Sequence, residues 1–167
     1  MAKISRQEAR ETLFALLFET EFHIGEDPHA VYSLACNERL IPDDKYIKEN
    51  FFGVLSRCEV LDKIIGNYAK GWKADRISMV SRNIIRIAVY EMLFVEDIPA
   101  NVSISQAVEL SIKYGEDKAK QFVNGILSGL NKDIQAKGID GVIASVADKK
   151  EEDASSNESE ASENGDA

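Results

Sequence analysis

The chain holds two cysteines, three prolines, two histidines and one tryptophan in 167 residues. Cys36 and Cys58 form no C-x-x-C pair and no ligand-spaced cluster. That excludes a disulfide framework or a structural zinc site and leaves two ordinary reduced core thiols. His23 and His29 sit in or near a loop, with no carboxylate or cysteine at metal-ligand spacing. A glycine-rich phosphate loop, a nucleophile elbow and a dinucleotide fingerprint are all missing. Nothing alternates with period two over a useful length, so no sheet is expected. No apolar run reaches membrane-spanning length and the N-terminus lacks a signal-type stretch, so the expected setting is the cytoplasm, with no membrane association. Neither enzymatic activity nor a cofactor or metal is expected.

What is present is helical periodicity, in a chain long enough for one domain with a real core. The formal net charge of −9 is a poor guide to partners. From Asp148 onward eight acids face two lysines, which leaves −3 for residues 1–147. The body is nearly balanced, and the acidity sits in the tail.

The stretch Ser81–Phe94 organises the rest. At about 100° per residue, Arg82 and Arg86 share one narrow stripe, while Ile84, Ile85, Ile87, Ala88, Val89, Met92 and Leu93 fill most of the remaining circumference. A helix apolar almost all round is a buried helix. Glu91 breaks the pattern, lying opposite Arg82 inside an apolar arc. A carboxylate there must be paired with a basic side chain, bonded to backbone donors or protonated. Arg82 and Arg86 read as a solvated stripe, as a brace for Glu91, or as donors to phosphate.

Around this helix the chain punctuates itself. Ser5 and Glu8 form a capping box, so a helix starts at about Arg6. Ala9, Leu13, Leu16, Leu17 and Thr20 make one face, and Phe14, Phe18 and Phe22 a second beside it, for the core or for an external partner. Asp27 and Pro28 start a short helix that Pro42 ends. From Asp43 apolar spacing runs to Gly71, as one long helix or as two with a bend near Ser56–Glu59. Trp72 packs where the chain turns, and Asp75 or Ser78 caps the approach to the central helix. Asp97 to Pro99 stops that helix. Ser103 with Gln106 suggests a new capping box, and Gly115 the next stop. Ile104, Ala107, Val108, Leu110, Ile112 and Tyr114 form one broad face between them. The last helix is expected from about Asp117 to Ile134, with Phe122 half exposed at the edge of its buried arc. Lys149 to Ala167 is Glu/Ser/Asn/Ala low complexity, which cannot offset its ordering entropy, so a disordered tail is expected.

Several blocks now stand together. Arg6-x-x-Ala9-Arg10 precedes Leu17-Phe18. Arg82-x-x-Ile-Arg86-Ile-Ala-x-Tyr90-Glu91 precedes Ile98-Pro99. Ile104-x-x-Ala107-Val-Glu109-Leu110, Tyr114-Gly115 and Phe122-Val-Asn-Gly125 close the set. Over residues 3–135 this resembles the NusB family of bacterial transcription antitermination factors. The resemblance implies an all-α bundle of about seven helices in two three-helix subdomains, spanning 1–136, while composition makes 137–167 a linker and disordered acidic tail. It implies binding of boxA-type single-stranded RNA together with NusE, a small-subunit ribosomal protein, in a complex that acts on RNA polymerase during ribosomal RNA transcription. Family RNA-binding positions fall on Arg6, Arg10, Arg82, Arg86, Tyr114, Phe122 and Asn124, and partner-binding positions on Phe18 and Ser81. A family member can hide its RNA face by self-association, and the sequence leaves monomer and homodimer both open. Gln7 and Glu8 interrupt what is often a denser arginine run in the family, and the acidic tail is an addition; both predict low intrinsic RNA affinity and dependence on the partner. Two rivals are weighed. A similar module precedes the catalytic domain of some RNA cytosine methyltransferases, which would need a cofactor-binding domain absent from this sequence. The other rival is a purely protein-binding helical adaptor that uses the Phe14, Phe18 and Phe22 stripe and no RNA.

Overall fold

The computed structural model describes residues 4–38, 41–69 and 76–161, with side chains as far as Ala147. Among these residues the chain forms helices and no strand. The helices are α1 (Arg6–Thr20), α2 (Pro28–Glu38), α3 (Lys45–Ser56), α4 (Cys58–Tyr68), α5 (Met79–Phe94), α6 (Ala100–Tyr114) and α7 (Ala119–Ala161).

Local chemistry sets the starts. The Ser5 hydroxyl accepts from the Glu8 amide at 3.1 Å, and Glu8 accepts from the Ser5 amide at 2.9 Å, the reciprocal box read from the sequence. Asp44 caps α3 by accepting from the Ile47 amide at 3.1 Å. The Ser78 hydroxyl does the same for Ser81 at the head of α5. The run from Asp43 divides into two helices at Arg57, whose backbone leaves the helical region at φ −112°, ψ 17°. The freed Arg57 side chain lies over the Phe94 ring at 4.6 Å.

α5 is the central element. Ser81, Asn83, Ile84, Ile85, Ile87, Ala88, Val89, Glu91, Met92 and Leu93 are buried along it. It packs against α1, α3, α4, α6 and α7, so these helices share it as a common core. Gly53 allows one of these close approaches: a Cβ there would collide with the Tyr90 hydroxyl of α5.

Glu91 takes the basic-partner option. It is 1% exposed and faces Arg10 of α1, itself 4% exposed. Arg10 Nη2 donates to Oε1 at 2.8 Å, and Nε lies 3.1 and 3.0 Å from the two carboxylate oxygens. The Tyr46 hydroxyl of α3 donates to Oε2 at 2.9 Å, and the Ser103 hydroxyl of α6 donates to Oε1 at 3.2 Å. Four helices thus converge on one carboxylate. Burial works against the Arg10 cation, but the hydrogen bond and charge of Glu91 outweigh it and hold its pKa above the ordinary value. Burial, and then the adjacent Glu91 charge, push the Tyr46 phenol up.

The structure corrects several sequence expectations. α6 begins at Ala100 behind Pro99, so Ser103 lies a turn inside the helix, buried, and bonds to Glu91 instead of forming a capping box. Its buried face is Ser103, Ala107, Leu110 and Ser111, while Ile112 is 63% exposed. The chain does not leave the fold at Ile134. α7 breaks at Gly138 (φ 77°, ψ 169°) and resumes, burying Val142 and Val146 in the core. Trp72, Gly71 and Asp75 lie outside the described residues. The expected disordered tail falls on 149–167, whose side chains, and from 162 whose backbone, also lie outside them.

Removing one partner of a buried ion pair strands the other. Arg10→Ala should therefore lower the unfolding free energy by about 3–5 kcal/mol, while Arg10→Met combined with Glu91→Leu should cost much less than the sum of the single changes. Urea unfolding of the three variants measures this, and additive costs would show that the two side chains act independently.

Candidate nucleic-acid interface

The predicted site residues divide by where the helices point them. Arg10 is a correction: its guanidinium belongs to the buried Glu91 pair and presents nothing to a phosphate. Arg82 and Arg86 are also held by carboxylates, though not by Glu91. Arg82 Nη2 lies 3.0 Å from both oxygens of Glu21 at the end of α1. Arg86 makes a two-point pair with Asp62 of α4, Nε to Oδ1 at 2.8 Å and Nη2 to Oδ2 at 2.7 Å, and reaches Glu21 at 3.2 Å through Nη1. The planar fork of arginine suits such paired bonds. Burial opposes the Arg86 cation, yet the Asp62 hydrogen bond and charge hold its pKa above the ordinary value. The side chains of Arg82 and Arg86 are 15% and 11% exposed, so this network ties α1, α4 and α5 together from a largely covered position.

Four predicted residues remain at the surface. Arg6 is exposed at the head of α1, with its guanidinium 4.4 Å above the Tyr46 ring. Tyr114, 42% exposed at the end of α6, has its ring centroid 5.1 Å from that of Phe14. Phe122 is half-buried and Asn124 exposed on the first turns of α7. The predicted partner residues behave differently from each other. Phe18 is half-buried between Phe14 and Phe22, with ring centroids at 6.1 and 5.5 Å, so Tyr114, Phe14, Phe18 and Phe22 form a ladder of rings along α1. Phe22 at its end is 66% exposed. Ser81 is buried, but it lines a groove.

That groove, of about 390 Å³, runs between the approach to α5 and the start of α7. Arg76, Ile77, Ser78 and Ser81 line one wall, and Glu116, Lys118, Ala119 and Phe122 the other. Sequence reading missed Arg76 and Lys118 as site residues. Arg76 lies two positions before the Ser78 cap, and Lys118 one helical turn before Phe122, a spacing that does point to a shared face. Neither carries an ion pair among the described residues. A half-exposed ring flanked by cations offers stacking for a base and donors for a phosphate. Lys113, near Tyr114, is held by Glu11 at 2.8 Å.

An all-helical fold that brings two cations and one half-buried ring to one groove defines a helical binding module. The chain belongs to the NusB family, whose profile matches residues 4–132. It is 39% identical over 132 residues to the transcription antitermination protein NusB of Bacillus pumilus, covering 79% of this chain and 98% of that protein. The NusB of Agathobacter rectalis is 40% identical over 128 residues, covering 75% and 98%. Among solved structures, T. maritima NusB superposes with a TM-score of 0.68 at 34% identity, over 78% of this chain and 93% of that one. A crystal structure of the antitermination factors NusB and NusE in complex with dsRNA gives 0.67 at 30% identity, over 77% and 96%. No described helix is long and apolar enough to cross a membrane.

Glu21 is the shared acceptor of the arginine network. Glu21→Gln keeps its shape and removes its charge, and should cost roughly 1–3 kcal/mol of stability in chemical denaturation. Wild-type stability in this variant would mean that Asp62 and solvent alone satisfy both guanidinium groups.

Proposed function

We propose that this protein is a transcription antitermination factor that binds boxA-type single-stranded RNA together with NusE, in a complex acting on RNA polymerase during ribosomal RNA transcription in the cytoplasm. The observation that carries the reading is the groove of Arg76, Lys118 and half-buried Phe122 in a chain of the NusB family. Within residues 1–136 we assign the RNA contacts to Arg6, Tyr114, Phe122 and Asn124, joined by Arg76 and Lys118. Arg82 and Arg86 act one step back, bracing the helix that carries Ser81. Phe18, on the ring ladder that ends in exposed Phe22, and the groove wall at Ser81 face NusE. Binding is non-catalytic: the groups on this surface can hold phosphates and bases and need no bond chemistry to do so. Self-association that buries the ring ladder would hide part of this surface.

The ladder also favours a second reading, a protein-binding adaptor that takes no RNA, because Phe22 and Ile24 are 66% and 92% exposed at the end of α1. Filter binding of boxA-like RNA with and without NusE separates the two. RNA retention that rises with NusE is expected; NusE capture with no RNA retained at any salt would establish the adaptor.

Phosphate and base recognition differ in their salt response. Arg6→Ala and Lys118→Ala should each flatten the slope of log affinity against log salt, by about 0.7 for each phosphate of single-stranded RNA that the wild-type side chain neutralises. Phe122→Ala should cost about 1–3 kcal/mol of binding with the slope nearly unchanged, because stacking releases no counterion. Circular dichroism run in parallel checks that the last helix is intact. A well-folded Phe122→Ala that binds like wild type would assign the ring to the core margin.

A further inference from the structure

The segment beyond Gly138 lies outside the residues that match the NusB family, yet it is packed. Ile139, Val142, Ile143 and Val146 recur at i, i+3, i+4 and i+7, the spacing of one apolar helical stripe. The stripe meets α4: Glu59, Val60 and Lys63 line a cleft with Ile143, Val146 and Ala147. Val142 and Val146 are 1% and 5% exposed. Upstream, α7 is fixed separately, with the Tyr68 hydroxyl of α4 bonded to Asp133. Between the two attachments stands Gly138, whose φ of 77° interrupts the helix. At this φ a glycine is unstrained and other residues rarely are, so the break is built into the chain. Ile139 is 37% exposed, so the strap is held by Val142, Ile143 and Val146, far fewer side chains than the ten buried along α5.

We propose that the outer face of α4 is a binding surface for an amphipathic helix, and that residues 139–147 are its tethered ligand, able to detach at Gly138. Recognition of this kind reads apolar anchors one turn apart in a shallow groove. The partner chemistry the surface fits is therefore a short helix with β-branched anchors at i, i+3, i+4 and i+7, flanked by polar residues that meet Glu59 and Lys63. The surface is separate from the proposed RNA groove, since α4 meets the strap near Glu59 to Lys63, whereas the groove begins at Arg76, beyond the other end of α4.

The test uses the full chain and the variant Val142→Ser with Val146→Ser. In the wild type, hydrogen exchange followed by mass spectrometry should show residues 139–147 exchanging faster than residues 119–134, because opening at the glycine leaves the rest folded. In the double variant the strap should lose protection while 119–134 keep theirs. A fluorescent peptide spanning residues 138–148 should then bind the double variant at least about tenfold more tightly than the wild type, where the tethered strap competes at millimolar effective concentration. Three results would overturn the proposal. One is equal protection on both sides of Gly138 in the wild type. Another is global loss of protection in the double variant, which would make the strap integral core. The third is peptide binding that is absent or equal in the two proteins.

Discussion

One buried carboxylate holds this fold in register. Glu91 sits on the helix against which α1, α3, α4, α6 and α7 pack, and its oxygens receive Arg10 from α1, Tyr46 from α3 and Ser103 from α6. Apolar packing by itself is tolerant: ridges of Ile, Leu and Val can slide or rotate by a residue at modest cost. A desolvated charge is not tolerant, because an arrangement that separates Glu91 from Arg10 leaves an ion in a medium that cannot solvate it. The pair therefore selects one mutual placement of four helices from among the many that would bury similar area.

A second charged network carries the same logic toward the surface. Glu21 and Asp62 draw Arg82 and Arg86 down onto the helix bundle. The arginines that most resemble nucleic-acid donors in the sequence thereby become cross-links between α1, α4 and α5. Arg6, Arg76 and Lys118 stay available to a phosphate, since no carboxylate of a neighbouring helix pairs with them among the described residues. Surface aromatics follow from the same geometry. Phe14 is buried, Phe18 half-buried and Phe22 mostly exposed, so one stripe passes from core to solvent along a single helix.

The C-terminal segment adds a different kind of contact. After a glycine that interrupts the helix, it meets α4 through Ile143, Val146 and Ala147, with Val142 buried beside them. Attachment by a few anchors beyond a break is the arrangement in which local opening costs least, whereas α5 can open only with the whole bundle.

The sequence by itself determined the helices, because caps and periodicity are local: Ser5 with Glu8, the buried arc of α5, and the need of Glu91 for a partner were legible, and Ser78 was one of two candidate caps ahead of α5. It also carried the blocks by which the family resemblance was read. Tertiary structure alone decided which partner each charge took. In the sequence Arg82 and Arg86 fit a solvated stripe, a brace or a phosphate donor, and Arg10 a donor by resemblance, because an arginine on a helix face looks the same whether solvent or a distant carboxylate faces it. Glu91 lies 81 residues from Arg10, and Glu21 lies 61 from Arg82. Ser103 mimicked a cap for a similar reason, since its role depends on a carboxylate of another helix. The stripe from Ile139 to Val146 has helical spacing, but it is short and follows a glycine. Only the presence of α4 beside it makes burial possible, because a stripe of four residues cannot order itself without a surface to meet.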